Sequence, residues 1–259
     1  MCIAQYGLWG WGNGELQFYQ PQNTTVSNGI ATITVKEEPN GLVDSWGNTS
    51  YYSSSKITTR GLFDFRYGKI EARIKTLDGQ GFWPAFWLLP SGGSWPCDGE
   101  IDIMEMGQRQ SFRDLHDEHN GGNGLNNSTV NQVVGANAIF YADEALVPDN
   151  PTGAASISWD PDDDYCRPYY NYDNLTDRFI KYRVYWNPDS ILFSVIDNEI
   201  EHFLFTDVFN IDSVSDEFHS PFYFVSNLAL GGNFTDAYSL GDPASGSQIS
   251  LPFPAKMLV

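Results

Sequence analysis

The chain has 259 residues, with 14 Lys and Arg against 33 Asp and Glu, a formal charge of −19 and an isoelectric point near 4.3. Such a polyanion repels nucleic acid and anionic membrane surfaces, and its longest apolar stretches, such as Phe222 to Leu230, stop well short of the ~20 residues a spanning helix needs. The length and a 41% hydrophobic content fit one domain with a sizeable core, spanning residues 1–259.

Aromatic residues make up 15% of the chain, beside 24 Gly and 14 Pro, a mixture that favours strands and turns over helices. The start, Met1 to Gly7, has neither a basic region nor an apolar run, so no signal peptide is read. Ile30 to Lys36 alternates with period two after Asn28-Gly29, a dipeptide suited to tight hairpins. Phe65 to Lys75 alternates again, Gly79-Gln80-Gly81 breaks it, and Phe82 to Leu89 resumes. Gln108 to Asp177 is rich in Asn, Gly and Asp and reads as long loops around one strand candidate, Asn131 to Tyr141. Its acidic cluster, Asp160 and Asp162 to Asp164, lacks the Gly and terminal Glu of a helix-loop-helix calcium loop and reads as a solvated loop. Tyr182 to Trp186 is a further strand, and Ile191 to Ile196 pairs with Glu199 to Phe205 across Asp197-Asn198. Phe222 to Leu230 completes the set. No run has helical period, so the expected architecture is an antiparallel sandwich or barrel without a second domain.

Three cysteines, Cys2, Cys97 and Cys166, are too few for a disulfide scaffold and too scattered for a zinc site; one bridge with a leftover thiol and three free thiols both fit. Six Asn-x-Ser/Thr sequons, at Asn23, Asn48, Asn126, Asn127, Asn174 and Asn233, hint at a secretory route.

The segment Trp95-Pro-Cys-Asp-Gly-Glu100-Ile-Asp-Ile-Met-Glu105-Met-Gly107 carries the chemistry. In a regular strand Glu100 and Asp102 share one face, whereas Glu105 points away. A β-bulge near Ile103-Met104 returns Glu105 to the carboxylate face and keeps Met106 on the core side. The two Glu backbones are then ~13 Å apart at ~3.3 Å per residue, and side chains leaning together over Asp102 can come far closer, a geometry compatible with the double displacement of retaining glycosidases. Three carboxylates this close cannot all ionise cheaply, which supplies an acid and a nucleophile from one motif.

This segment resembles the catalytic signature of glycoside hydrolase family 16, in the bulged form of laminarinases and other endo-1,3-β-glucanases. Trp11 to Tyr19, Tyr67 to Lys75, Gly79 to Leu89 and Asn227 to Asn233 resemble family motifs in family order. The resemblance implies an all-β jelly-roll sandwich of two antiparallel sheets with a concave glycan-binding cleft. It implies Glu100 as nucleophile, Glu105 as general acid/base and Asp102 as the carboxylate that tunes both. Trp83 and Trp95 are the expected sugar-stacking residues, Trp83 fitting the core equally well. Glu71 and Arg73 are expected on the cleft face, an ion pair being the plain reading, and Asn23 and Asn227 are expected to contact sugar. The family usually adds a strand at each end of the span seen here, so a chain lacking the first and last strands is expected. The family's His on the strand after the catalytic one is absent, with Ala136-Asn137-Ala138 near its position. The implied function is a retaining endo-β-glucanase acting on 1,3-β-glucan; a non-catalytic glucan-recognition protein, and a hydrolase or transglycosylase of agar or mixed-linkage glucan, are the alternatives. No cofactor is required, structural calcium belonging to family strands not seen here. The expected partner is a neutral polysaccharide rather than nucleic acid or membrane, and the expected protein is a secreted monomer.

Overall fold

A computed structural model describes residues 3–8, 10–93, 95–119, 124–141, 154–156, 168–204, 217–236, 249 and 255–259. Cys2, Cys166 and the Asp160–Asp164 cluster lie outside the described residues; Cys97 is exposed and unbridged.

The strands expected from alternation are present, with further short strands between and beyond them. β1 (Ile3–Ala4), β2 (Phe18–Tyr19), β3 (Thr24–Ser27), β4 (Ile30–Val43), β5 (Thr49–Ser54) and β6 (Lys56–Thr58) come first. β7 (Gly68–Ile74), β8 (Phe82–Pro90), β9 (Glu100–Met106), β10 (Val133–Tyr141), β11 (Ala154–Ser156) and β12 (Tyr169–Tyr170) follow. β13 (Ile180–Asn187), β14 (Ser190–Asp197), β15 (Ile200–Leu204), β16 (Phe222–Leu230) and β17 (Ala255–Leu258) close the chain.

They build two layers. The front sheet runs β1-β6-β16-β8-β9-β10-β11, with β12 also on β10. Behind it, β15-β14-β13-β7 meets the sheet β17-β4-β5-β2 through the Lys75–Leu258 bridge, whose two backbone bonds are 2.8 and 2.9 Å. The core fills the space between. Ile101, Ile103, Met104 and Met106 enter it from β9, and Ile180, Tyr182, Val184 and Trp186 enter from β13. Alternate residues of each strand therefore leave the core on opposite outer faces of the sandwich.

Asn28 and Gly29 take φ of 52° and 77° between Ser27 and Ile30, the type I′ hairpin expected of that dipeptide. The β14–β15 hairpin turns one residue later than its sequence indicates. Asp197 pairs with Ile200, and Asn198 and Glu199 make the turn at φ 49° and 63°, because Asp197 is held in the strand by buried partners described below.

The region from Gln108 also holds a helix that periodicity misses, α1 (Gln110–His119). Its sequence, Gln-Ser-Phe-Arg-Asp-Leu-His-Asp-Glu-His, has only two apolar residues, too few for an amphipathic stripe. Polar anchors hold it instead: Gln110 N donates to Asp236 Oδ2 at 3.0 Å, and Arg113, almost fully buried, reaches the Gln110 Oε1 at 2.6 Å. No helix among the described residues is long and apolar enough to cross a membrane.

Candidate active site

The expected bulge is present. Phe86 pairs with Met104 and its neighbour Trp87 with Asp102, so β9 carries one extra residue at Ile103, and the register against β10 slips between Gly135 and Asn137. Ile103 and Met104 are both buried, Glu105 returns to the face of Asp102, and Met106 re-enters the core. Gly107 then ends the strand at φ 100°, where a Cβ would collide with the Phe82 carbonyl.

Cross-strand register fixes what surrounds the carboxylates. One row runs Lys56, Asn227, Ala85, Glu105 and Gly135; the next brings Val225, Trp87 and Asn137 alongside Asp102. Glu100, Asp102 and Glu105 share a pocket with Glu15, Lys56 and Asn227, walled by Trp11, Trp83 and Trp87.

Each carboxyl has a different environment. Asp102 is 3% exposed, and burial together with the neighbouring Glu100 and Glu105 charges raises its pKa well above the usual carboxylate range. Its carboxyl is hydrogen-bonded to Glu100, a contact that favours the protonated form of Asp102 and the ionised form of Glu100. Glu100 also accepts the Trp95 indole N–H at 2.7 Å; burial raises its pKa, while these two bonds and the Lys56 charge oppose the rise. Glu105 accepts the Trp83 N–H at 2.9 Å, and burial, with Glu100 and Glu15 adding to it, pushes its pKa to about 7.

Carboxyls raised in this way bind protons more tightly when folded than unfolded. Stability is then fully present below their ordinary range and falls as pH rises, for Glu105 through about 7. Glu105→Gln is expected to stabilise the fold at pH ~8 by on the order of 2 kcal/mol and to leave it nearly unchanged at pH ~4. Thermal melts at the two pH values check this; equal shifts at both would show that the charge is not the cause.

Of the other residues expected from sequence, Asn227 lines the pocket, its Oδ1 accepting from Trp87 at 2.7 Å and its Nδ2 donating to Tyr19 at 3.2 Å. Trp83 lines it too, but one indole face is stacked on Phe234 at 4.7 Å and 12° while its N–H holds Glu105. That arrangement positions the carboxyl rather than offering both faces to a ring. Trp95 is half exposed, with its indole N–H on Glu100. Asn23 is not in the pocket: it is 1% exposed, and its Nδ2 donates to Thr34 O at 2.6 Å and Ser53 Oγ at 2.9 Å. Glu71 and Arg73 are not there either. They sit on the outer face of the back sheet, Glu71 ion-paired with Arg183 at 2.5 Å and Arg73 lying over the Phe179 ring at 4.2 Å.

Sequence reasoning named no role for Trp11, Asn13, Glu15, Tyr19, Lys56 or Trp87, all of which line the pocket. The signal was present in Trp11 to Tyr19, where alternation puts Glu15, Gln17 and Tyr19 on one face. Among the described residues no group of three or more His, Cys, Asp or Glu is arranged to hold a metal ion.

A family model for Glycosyl hydrolases family 16 matches residues 14–136. A glucan endo-1,3-beta-glucosidase A1 from Niallia circulans is 30% identical over 231 residues, covering 87% of this chain and 30% of that protein. A glucan endo-1,3-beta-glucosidase from Cryptopygus antarcticus is 28% identical and covers 89% of this chain and 74% of its own. The chain spans about a third of the length of the first curated relatives it matches. Among solved structures, the laminarinase catalytic domain from Thermotoga maritima superposes with a TM-score of 0.70 at 26% identity, over 100% of this chain and 88% of that one. The bulged carboxylate strand lies within the residues that match glycoside hydrolase family 16, and the two-sheet sandwich is the one found in a laminarinase catalytic domain.

Proposed function

We propose that this chain is a retaining endo-β-glucanase whose substrate is 1,3-β-glucan. The observation that carries the reading is the row of three carboxyls in one pocket whose surroundings separate their protonation. Glu100, bonded by Asp102 and Trp95, is the anion and the nucleophile. Glu105 is the general acid, because a pKa of about 7 keeps a proton available near neutral pH.

Glu105 gives its proton to the glycosidic oxygen as the bond from that oxygen to the anomeric carbon breaks. A Glu100 oxygen attacks the same carbon from the opposite face, forming a glycosyl-enzyme ester. Water, losing its proton to Glu105, then displaces Glu100 and restores both carboxyls with overall retention. The mechanism needs no metal or organic cofactor. The names of the Niallia circulans and Cryptopygus antarcticus relatives support the 1,3-β-linkage. Secretion is part of the proposal, supported by five sequon asparagines on the exposed surface: Asn48, Asn126, Asn127, Asn174 and Asn233.

Incubation with laminarin, mixed-linkage glucan and agarose, followed by NMR of the anomeric protons, tests it. Initial release of the β-anomer from laminarin is the expected result. No cleavage of any polymer by folded protein would favour a binding role, such as the name of a beta-1,3-glucan-binding protein from Penaeus monodon, 29% identical over 150 residues, describes.

A further inference from the structure

The wall facing β9 carries two charges that double displacement leaves unused. Glu15 is 9% exposed, and its oxygens accept from Gln17 Nε2 at 2.7 Å, Tyr19 Oη at 3.1 Å and Asn13 Nδ2 at 3.4 Å. Burial raises the Glu15 pKa, while these three donors and the Lys56 charge oppose the rise and favour the anion. Tyr19 Oη is itself bonded by Asn227, and Asn227 by Trp87, so a continuous chain ties Glu15 into the front sheet. Lys56 is equally buried, and its ammonium lies 4.6 Å from the Trp87 ring and 4.9 Å from the Trp11 ring. Two indole faces attract the charged form of the side chain.

We propose that Glu15 and Lys56 are a pair of opposed positioning charges, the Glu15 carboxylate holding the proton on Glu105 and the Lys56 ammonium holding Glu100 as the anion. This rests on the glycosidase reading above. Glu105 is faced by Glu100 and Asp102 from its own strand and by Glu15 from across the pocket. Glu100 is faced by Asp102 and Glu105 from β9, Lys56 from β6, and Tyr223 from β16, which has Arg60 5.8 Å from its ring. Glu15 raises the proton affinity of Glu105 and Lys56 lowers that of Glu100. Burial lowers the Lys56 pKa, while Glu15 and Glu100, which line the same pocket, both favour its charge. A wall of this kind moves the acid and the nucleophile apart in opposite directions, the pattern that assigns acid and base roles to two like groups.

The test is the pH dependence of kcat/KM on laminarin from about pH 4 to 9 for wild type, Glu15→Gln, Lys56→Met and Lys56→Arg. With Glu15→Gln, Glu105 loses its proton earlier, so activity on the alkaline side falls roughly threefold to tenfold further than on the acid side. With Lys56→Met, Glu100 is protonated earlier and the excess loss of similar size lies on the acid side; Lys56→Arg restores the wild-type limb. Glutamate side-chain carbon NMR titrations of Glu100 and Glu105 read the same displacements without turnover. Should Glu15→Gln not fold, Glu15→Asp, which retracts the charge, gives a smaller displacement in the same direction. Uniform losses at every pH, or carboxyl titrations that superimpose on wild type, overturn the proposal. Wild-type protein that cleaves no polymer fails the glycosidase reading instead, while the titrations still judge the wall.

Discussion

Glu100→Gln is expected to lower turnover of laminarin by ~10⁴-fold or more while leaving glucan binding within a few fold. The substitution keeps the size of the side chain and an acceptor for the Trp95 N–H, now 2.7 Å away, but it removes the anion that must bond to carbon. Glu105→Gln removes a different part of the reaction. An aryl glycoside with a good leaving group needs no protonation to depart, so the first chemical step survives that change for such a substrate and fails for laminarin. Steady-state rates with the two substrates, beside calorimetric binding of an oligoglucan, separate the roles. Turnover by Glu100→Gln within tenfold of wild type would remove Glu100 from the mechanism.

Asp197→Ala is expected to cost about 3 kcal/mol, among the largest effects of any single polar change in the chain. The Asp197 carboxylate is buried and receives Arg178 Nε at 2.7 Å and Nη2 at 2.6 Å, the Tyr169 hydroxyl at 2.9 Å and Asn171 Nδ2 at 3.3 Å. Tyr169 belongs to β12 of the front sheet and Asp197 to β14 of the back sheet, so one carboxylate ties the two layers together. Hydrogen bonding from Arg178 holds the Asp197 carboxyl below the usual carboxylate range. Its stabilisation is present above that range and lost as pH falls through the folded value, so the variant should be less sensitive to acid than wild type. Glu71→Ala breaks the more exposed pair with Arg183 and should cost under ~1 kcal/mol. Urea unfolding of the three proteins measures the contrast; a loss below ~1 kcal/mol for Asp197→Ala would show that the tie between layers contributes little.

Much of the architecture was legible in the sequence. β16 occupies the apolar run Phe222 to Leu230 residue for residue, and the spacing of Glu100, Asp102 and Glu105 demanded a bulge where β9 has one. Where reasoning failed, it failed for a common physical reason. Alternation in Lys69 to Lys75 shows that Glu71 and Arg73 point away from the core, but a sandwich has two outer faces with the same pattern. Only the pairing of β7 with β13 reveals that theirs is the back. Lys56 follows Ser53, Ser54 and Ser55, a polar run with no sign of burial, yet all three serines are fully buried. Trp83 could not be separated from a sugar platform because its stacking partner, Phe234, lies 151 positions away in the chain. Helix α1 escaped because its stability comes from capping and polar anchoring to Asp236, which periodicity does not register.

The bulge in β9 also bears on how such a strand can change over generations. Loss of the single codon for Met104 would leave Glu-Ile-Asp-Ile-Glu, in which plain alternation already puts all three acids on one side. Downstream pairing would be untouched, since Glu105 would stay opposite Ala85 and Asp102 opposite Trp87. The reacting groups would survive the deletion, and what would disappear is the volume of one methionine from the interior. In this strand the ancestry of the chemistry and the ancestry of the packing can therefore part company in one mutational step.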